Sequence, residues 1–315
     1  MRKLVVASVV ALALAGCNSG SSDGSSNTGQ FNLAFSDAPV DGLSKVCVAF
    51  DKITVHHTNG GESSWGTTSF ASDQSSAECI PAGLAIPQDS DGNPAFMVIN
   101  LMAYQGEQSL QVLSDEQMEA GQYTQMRLSV LEKGSYTDGT PYSHVVTDTS
   151  ATEGIRVPSG ELKLDGFDVQ ANATQAYTLE FDLRKSMVEN ANGYQLKPRG
   201  VRLVNNENVA TISGDVTLGG GACGNNINDA FVYVYTAPTG GVHGDLGSAN
   251  EPYTSAGVDS VSGKFEVGYV PLGSYDVVLV CNGSEDDPEN AGDQLTIDSS
   301  FADEVLTASG RTFTF

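Results

Sequence analysis

Residues 45–57 read KVCVAFDKITVHH, and this stretch is the clearest indication of the fold class. Its first apolar residues, at alternate positions from Val46 to Phe50, would lie on one face of an extended strand. The apolar residues that follow, Ile53 and Val55, have the opposite parity, which would move them to the other face. We therefore expect one long strand with a bulge or bend near residues 51–52.

Similar runs, rich in Val, Tyr, Phe and Thr and broken by Gly, Asn and Asp, predict antiparallel strands along the rest of the chain. The predicted strands are 31–35, 45–57, 95–101, 122–131, 176–183 and 200–204, then 209–218, 230–236, 264–267, 275–281, 294–297 and 312–315. Only Ser114–Ala120 predicts a helix, with Ser114 as its cap and Gly121 as its end. Because no stretch sustains a helical apolar period over three or more turns, the predicted fold class is all-β.

The N-terminus has the layout of a secretory signal peptide. Arg2 and Lys3 precede an uncharged apolar run, Leu4 to Ala15, that is shorter than the roughly 20 residues needed to span a bilayer. The end of this run and the two residues after it, Leu14-Ala15-Gly16-Cys17, resemble the lipobox of bacterial lipoproteins. The resemblance implies cleavage before Cys17, lipid on that cysteine and stable attachment to a membrane. Asn18 after the cysteine resembles an outer-membrane sorting signal, for a protein that faces the periplasm or the cell surface.

Composition predicts four consecutive segments. Residues 18–30 are almost entirely Ser, Gly, Asn and Thr, which cannot bury a core and behave as a flexible tether. We expect a signal peptide at 1–16, the lipidated Cys17 and tether at 17–30, a first β domain at 31–206 and a small β-sandwich of seven or so strands at 207–315.

The chain is strongly acidic, with 39 Asp and Glu against 15 Lys and Arg and a formal net charge of −24. Such a surface repels nucleic acid and anionic lipid, so we exclude both as partners. The only membrane contact expected is through the lipid on Cys17. The charge favours cations, basic partners or simple solubility outside the cell.

Four cysteines follow Cys17, with two in each half of the chain. An exported protein can form disulfides, and four cysteines allow three pairings. We expect Cys47–Cys79 and Cys223–Cys281, because this pairing crosses no predicted domain boundary. A zinc site is not expected, since the sequence has no CxxC pair.

Two acidic segments are candidates for calcium, which prefers several oxygen ligands. The first contains Asp89, Asp91 and Asn93, but it departs from the EF-hand pattern at Pro94 and Asn100. The second contains Glu285, Asp286, Asp287, Glu289 and Asp293. The alternative for both is a solvated loop, and no other cofactor is expected.

Aromatic and catalytic side chains give weaker signals. Trp65, the only tryptophan, is predicted to cap the core from a short strand, the alternative being an exposed platform for sugars. His56 and His57 are neighbours on a strand, so they point to opposite faces and cannot chelate one metal together. No Ser/His/Asp set can be assembled from spacing, and a hydrolase would need carboxylates such as Asp37 and Asp41 to converge.

Several short sequence segments of the first half, called phrases here, together resemble the bacterial family called domain of unknown function 4382. The resemblance covers roughly Phe31 to Val204. The phrases are Ser36-Asp37-Ala38-Pro39-Val40-Asp41, Ile99-Asn100-Leu101 with Gln105-Gly106, 120–128 (AGQYTQMRL), and 181–186 (FDLRKS) followed by Leu196-Lys197-Pro198. The resemblance implies a β-rich exported module and supplies no catalytic residues.

The second half is similar to the carboxypeptidase-regulatory or prealbumin-like sandwich. The phrases that carry this resemblance are 212–216 (ISGDV), 229–232 (DAFV), 262–265 (SGKF) and 270–275 (VPLGSY). In such repeats a Pro-x-Gly turn ends one strand before a tyrosine begins the next. The resemblance implies a fold and leaves the function open, because these modules serve as spacers, stabilisers and occasional glycan binders.

The sequence therefore predicts a membrane-anchored envelope lipoprotein that is not an enzyme and that acts in binding, adhesion or envelope assembly. The alternative is a glycan-binding accessory module for capturing extracellular polymers, and a less favoured one is an uncharacterised hydrolase. The ligand, whether protein or glycan, is not identified by any motif.

Overall fold

The computed structural model describes residues 27–38, 40, 42–71, 74–217, 219, 221–224 and 227–315. The predicted signal peptide and Cys17 lie outside these residues, and the first strand begins at Thr28. Within the described ranges, no helix has the length and apolar character needed to cross a membrane.

Residues 27–206, called here the first half, form two sheets. Sheet A has four strands in the order β14-β11-β1-β5, and sheet B has ten, in the order β10-β6-β2-β7-β8-β13-β12 with β3, β4 and β9 attached at its centre. The strands are β1 Thr28–Ala38, β2 Leu43–His57, β3 Glu62–Gly66, β4 Met97–Asn100, β5 Leu110–Glu119, β6 Gly121–Val130, β7 His144–Thr147, β8 Thr152–Arg156, β9 Glu161–Leu164, β10 Phe167–Val169, β11 Thr174–Asp182, β12 Met187–Asn190, β13 Gly193–Leu196 and β14 Val201–Asn205.

The main core of the first half contains side chains from both sheets. Phe31, Leu33 and Phe35 of β1 alternate along the strand and are almost completely buried. In β2 the register with β6 shifts between Phe50 and Lys52, as the sequence predicted, so that Phe50 and Ile53 are both buried. The change of parity in the sequence is thus a real bulge.

Residues 207–315, the second half, form two smaller sheets. Sheet C has the order β18-β15-β21, and sheet D has the order β17-β16-β19-β20. The strands are β15 Val209–Asp215, β16 Phe231–Thr236, β17 Thr254–Gly257, β18 Lys264–Pro271, β19 Gly273–Val280, β20 Ile297–Leu306 and β21 Arg311–Thr314. A second core includes Tyr275, Val277 and Leu279 of β19, the face predicted to be buried.

Among the described residues, helical structure comprises α1 (Leu183–Ser186), single 3₁₀ turns at 77–79, 101–103, 158–160, 206–208 and 283–285, and a 3₁₀ residue at Gln74. Together the four sheets make the chain nearly all β, as its sequence predicted.

Two local predictions were wrong. Ser114–Ala120 is not a helix, because residues 110–119 form β5, an edge strand that pairs with β1 and buries Met118. A helix of seven residues is barely stable on its own. Pairing with β1 instead gives the backbone N–H and C=O groups hydrogen-bond partners and covers the core. The strand predicted at 294–297 begins only at Ile297, since the residues before it belong to a loop.

The two disulfides join the cysteines that the sequence paired. Cys47–Cys79 has a Cα–Cα distance of 5.7 Å and lies in a small cluster with Phe96, Val98 and Tyr136 on the side of sheet B away from the main core. Cys223–Cys281 has a Cα–Cα distance of 5.0 Å and ties the loop after β15 to the end of β19. Each half therefore carries its own covalent link.

Candidate functional site

The loop around Asp89 does not gather further ligands for calcium. One carboxylate oxygen of Asp89 accepts the backbone N–H groups of Asp91 and Asn93, both at 2.9 Å, and the other accepts from the Asn93 amide. The hydrogen bonds from Asn93 lower the pKa of the Asp89 carboxyl. These oxygens therefore hold the loop together, and calcium at Asp89, Asp91 and Asn93 stays a prediction.

Part of the second acidic segment does converge, with help from a residue that the sequence did not indicate. Oxygens of Asp245, Asp286 and Asp293 lie within 4.8 Å of one another, and the first two residues are buried. Asp245 accepts the N–H of Asp293 at 2.8 Å, and Asp286 accepts the Tyr233 hydroxyl at 2.6 Å. Burial raises the pKa of the Asp286 carboxyl. The arrangement connects two loops through hydrogen bonds that occupy these carboxylates.

Trp65 is a core residue, as favoured from the sequence. It lies on β3, is 7% exposed, stacks on Phe31 and donates its indole N–H to Glu116 at 2.7 Å. Its ring is therefore not a platform for sugars.

Among the described residues, one histidine, His243, comes together with an Asp and a Thr, and both of these side chains meet the same ring nitrogen, Nε2. His57 accepts the N–H of Asn59, and His243 lies 3.2 Å from Asp276 with Thr239 beside both. Asp37 is 1% exposed, too buried to meet a substrate, while Asp41 lies outside the described residues.

The densest group of buried charged residues lies where the two halves meet. We call this region the junction, and its charged residues are Asp37, Glu180, Asp182, Arg184, Lys185 and the half-buried Arg202. Sheet A ends there: Ala38 of β1 pairs with Asp182 of β11, and Val201 opens β14 alongside. The opposite end of sheet A carries Thr28, where the chain enters β1. The second half therefore docks on the end of the sheet that is far from the predicted tether.

The sequence after β11 makes a single helical turn at this end of the sheet. The Asp182 carboxylate caps α1 by accepting the Lys185 N–H at 3.3 Å, and Ser186 donates its hydroxyl to the Asp182 carbonyl at 2.8 Å. Gly200 packs against this turn with φ +83°, and a Cβ there would lie 2.6 Å from Lys185 Cβ. The turn directs two consecutive basic side chains, Arg184 and Lys185, into the second half.

Arg184 is 4% exposed, and its side chain packs against the face of sheet D that points away from the second core. Its guanidinium donates to the Tyr233 hydroxyl at 3.1 Å, to the Ser255 hydroxyl at 3.2 Å and to the Gly283 carbonyl. The same group lies 3.9 Å from the centre of the Phe231 ring, a favourable cation–π position. One side chain thus touches β16, β17 and the loop after β19.

Other basic residues extend the junction on both sides of Arg184. Lys185 donates to the Pro252 carbonyl at 2.5 Å and lies 3.2 Å from Glu251. Arg202 of β14 donates to the Tyr253 carbonyl at 2.9 Å and lies over the Tyr253 ring. A second set of contacts comes from Glu107, whose carbonyl accepts the Tyr269 hydroxyl at 3.0 Å.

Three carboxylates lie beneath these cations. Asp37, Glu180 and Asp182 are at most 2% exposed. Burial raises the pKa of Glu180 to about 8, even though Arg202 opposes the shift. Burial, reinforced by the charges of Glu180 and Asp182, raises the pKa of Asp37 well above its ordinary value. Burial thus favours the protonated forms of Asp37 and Glu180, and Arg202 is the cation that opposes this at Glu180.

Open cavities flank the junction. One of about 490 Å³ is lined by Arg202, Tyr235 and Tyr253 together with Val242 of a neighbouring loop. Another of about 610 Å³ lies between Leu43 and the Asp286 loop. Both are of a size that takes small ligands.

Arg184 and Lys185 belong to the family segment 181–186 (FDLRKS), but the sequence of this segment does not indicate what they bind. One sequence feature does single them out: two adjacent basic residues directly after a predicted strand are unusual in a chain with only 15 Lys and Arg among 315 residues. The acceptors were not identifiable, since they are mostly backbone carbonyls and hydroxyls of the second half.

Fold and junction define the class: a disulfide-bonded, all-β protein whose two halves are held together by buried charges. The family model described as Domain of unknown function (DUF4382) matches residues 28–198, more than half of the chain. The chain belongs to this family, as its phrases indicated. Nothing among the curated proteins matches it.

Solved structures give only distant likenesses. The TIE protein of Bacillus anthracis is 11% identical with a TM-score of 0.19, over 91% of this chain and 33% of that one. A protein of Bacteroides fragilis NCTC 9343, described as a "putative cell adhesion protein", is 12% identical with a TM-score of 0.20, over 90% of this chain and 91% of that one. The BcpA major pilin subunit of Bacillus cereus is 8% identical with a TM-score of 0.20, over 91% and 68%. The chain thus spans about a third of the TIE protein, and scores this low establish no shared function.

Proposed function

We propose that the protein is an exported, non-enzymatic lipoprotein of the outer membrane that presents a two-part β body for binding, adhesion or envelope assembly. The observation that carries this proposal is the junction, where buried Arg184 and Lys185 fix the second half to the end of sheet A opposite Thr28. A body that is tethered at one end and rigidly extended at the other suits display of a binding surface.

Two further observations support export and anchoring. Both disulfides require an oxidising compartment, and the N-terminal segment has the order of a lipoprotein signal. The surface is acidic enough to stay soluble beside an anionic membrane without lying on it. Lipid on Cys17 is then the membrane contact.

Metabolic labelling with an alkyne fatty acid tests the anchor. The native chain should be labelled and fractionate with outer membranes, while Cys17→Ala should be unlabelled and lie in the soluble exported fraction. Protease added to intact cells then distinguishes the two faces: digestion indicates display at the surface, and protection indicates the periplasm. An unlabelled native chain would refute the anchor.

Binding is tested separately, with cells that make the native chain or lack it. Adhesion to a surface or retention of an envelope partner should fall when the chain is absent and recover when it is restored. Measured turnover of a polysaccharide, peptide or ester by the purified protein would refute the non-enzymatic assignment.

The cavity of about 490 Å³ favours glycan binding as a second candidate, because the half-buried Tyr253 lines it. Val242 lies at its wall, is 55% exposed and makes none of the contacts described for the junction. Val242→Trp should fill the cavity and abolish glycan-array signals without loosening the halves. An array that gives no signal with the native protein would contradict this candidate.

A further inference from the structure

Unpaired polar atoms are concentrated among the buried acidic residues of the junction. Among the described residues, both carboxylate oxygens of Asp37, one of Glu180 and one of Asp182 are buried without a hydrogen bond of normal geometry. The Leu183 N–H lowers the pKa of Asp37, but this effect is smaller than those of burial and of Glu180 and Asp182. Arg202 also has two buried nitrogens without such a hydrogen bond, Nε and Nη2. Buried polar groups are rarely left unpaired, so this group needs a further component.

The charges of the group do not balance. If all ionised, Asp37, Glu180 and Asp182 would carry three negative charges. Arg202 is the cation that faces them, because Arg184 and Lys185 direct their charged ends to acceptors of the second half. The nearest Arg202 nitrogens are 4.0 Å from both Glu180 and Asp182, longer than a hydrogen bond. Uncompensated charge in such a buried place is strongly unfavourable, so the excess must be neutralised.

A single metal ion does not fit the arrangement. The described residues contain two groups of three His, Cys, Asp or Glu ligand atoms within 4.8 Å of one another, and neither includes Asp37, Glu180 or Asp182. Asp182 also uses one oxygen to cap α1. A metal ion needs several ligand atoms close together, whereas a proton binds to one carboxylate and neutralises it without help from the others.

We propose that Asp37 and Glu180 bind protons when the two halves dock, which makes the junction a latch that is closed in acidic medium and loosens progressively as the medium becomes neutral and then weakly alkaline. The groups that face Glu180 are Asp37 of β1, Asp182 of its own strand, Arg202 of β14 and Tyr253 beside β17. Only Arg202 among them favours an ionised Glu180. The raised pKa values of Asp37 and Glu180 agree with this assignment.

The direction of the effect follows from proton linkage. The folded chain holds the Glu180 proton up to about pH 8, whereas an unfolded chain releases it near its ordinary value of 4.5. The folded state therefore binds more protons between these values, so stability is full below about pH 4.5 and is lost as the pH rises to about 8. Above that range the group contributes no further change.

The latch is tested on the full folded protein by thermal unfolding from pH 5.5 to 8.5. The native Tm should fall by about 5–10 °C over this range. Glu180→Gln should remove at least half of that fall, since it cannot ionise. Glu153→Gln, at an exposed glutamate of β8, is the matched control and should keep the native slope. Equal slopes in all three proteins would overturn the proposal.

Two measurements on the native chain cover the case in which Glu180→Gln fails to fold. Carbon-13 NMR of the glutamate side chains should show one carboxyl that titrates near pH 8, and its absence would overturn the proposal. Hydrogen exchange, corrected for the intrinsic effect of pH, should show at least tenfold lower protection of Thr254–Gly257 at pH 9 than at pH 6. Unchanged protection there would overturn the latch.

Discussion

Replacing Arg184 with Met should separate the two halves without removing the apolar part of the side chain. The substitution deletes charged hydrogen bonds to Tyr233, Ser255 and the Gly283 carbonyl. Such bonds contribute about 1.5–3 kcal/mol each, and the cation–π contact with Phe231 about 2 kcal/mol more when desolvated. These values are not additive, and breaking buried charged pairs costs about 3–5 kcal/mol in practice. We expect a loss within that range.

The single tryptophan makes the measurement selective. Trp65 lies in the core of the first half, so its fluorescence during urea unfolding follows that half alone. Far-UV circular dichroism follows the strands of both halves. In the native chain the two transitions should coincide because the junction couples the halves. In Arg184→Met the dichroism should begin to change at lower urea than the fluorescence.

Arg156 provides the matched control, because it is an exposed arginine of the same half. Arg156→Met should change the free energy of unfolding by less than about 0.5 kcal/mol. The reasoning is refuted if Arg184→Met unfolds at the native urea concentration with coincident transitions. It is equally refuted if Arg156→Met is as destabilising as Arg184→Met.

Three further predictions concern other parts of the chain. Removing the Cys223–Cys281 link, which closes a separation of 58 residues, should cost about 4 kcal/mol in urea unfolding, and the dichroism transition should shift. Trp65→Phe should cost about 1–3 kcal/mol by the same assay, because it leaves Glu116 without the indole donor; an unchanged midpoint would contradict the core assignment. Calcium titrated calorimetrically should give heat that disappears in Asp89→Asn if the loop is a site, and no heat with the native chain would remove it.

The junction joins the region matched by the family model to the rest of the chain. The family match covers residues 28–198 and so includes Arg184 and Lys185, whereas the acceptors described for these two side chains lie between Tyr233 and Gly283. In this protein, side chains of the family region therefore attach a neighbouring unit. The assignment of that unit as a prealbumin-like sandwich stays a prediction from its phrases.

Local patterns were informative wherever one face of a strand is buried and the other is not. Alternation along 45–57 predicted β2 and its bulge, because a change of parity has only one structural solution if the apolar side chains are to stay inside. The pairing of cysteines followed from their positions in the two halves. The same reasoning failed at 114–120, where the backbone pairing with β1 outweighed a weak helical preference.

The sequence by itself determined the all-β class and the family, since both depend on local order or composition, and it predicts the signal before Cys17 in the same way. Only the tertiary structure decided that Asp37 is buried beside Glu180 and Arg184 and close to the half-buried Arg202, although Asp37 lies far from the other three in the chain. The reason is physical: the energy of a charge depends on its surroundings, and packing of the two halves determines which charges leave water.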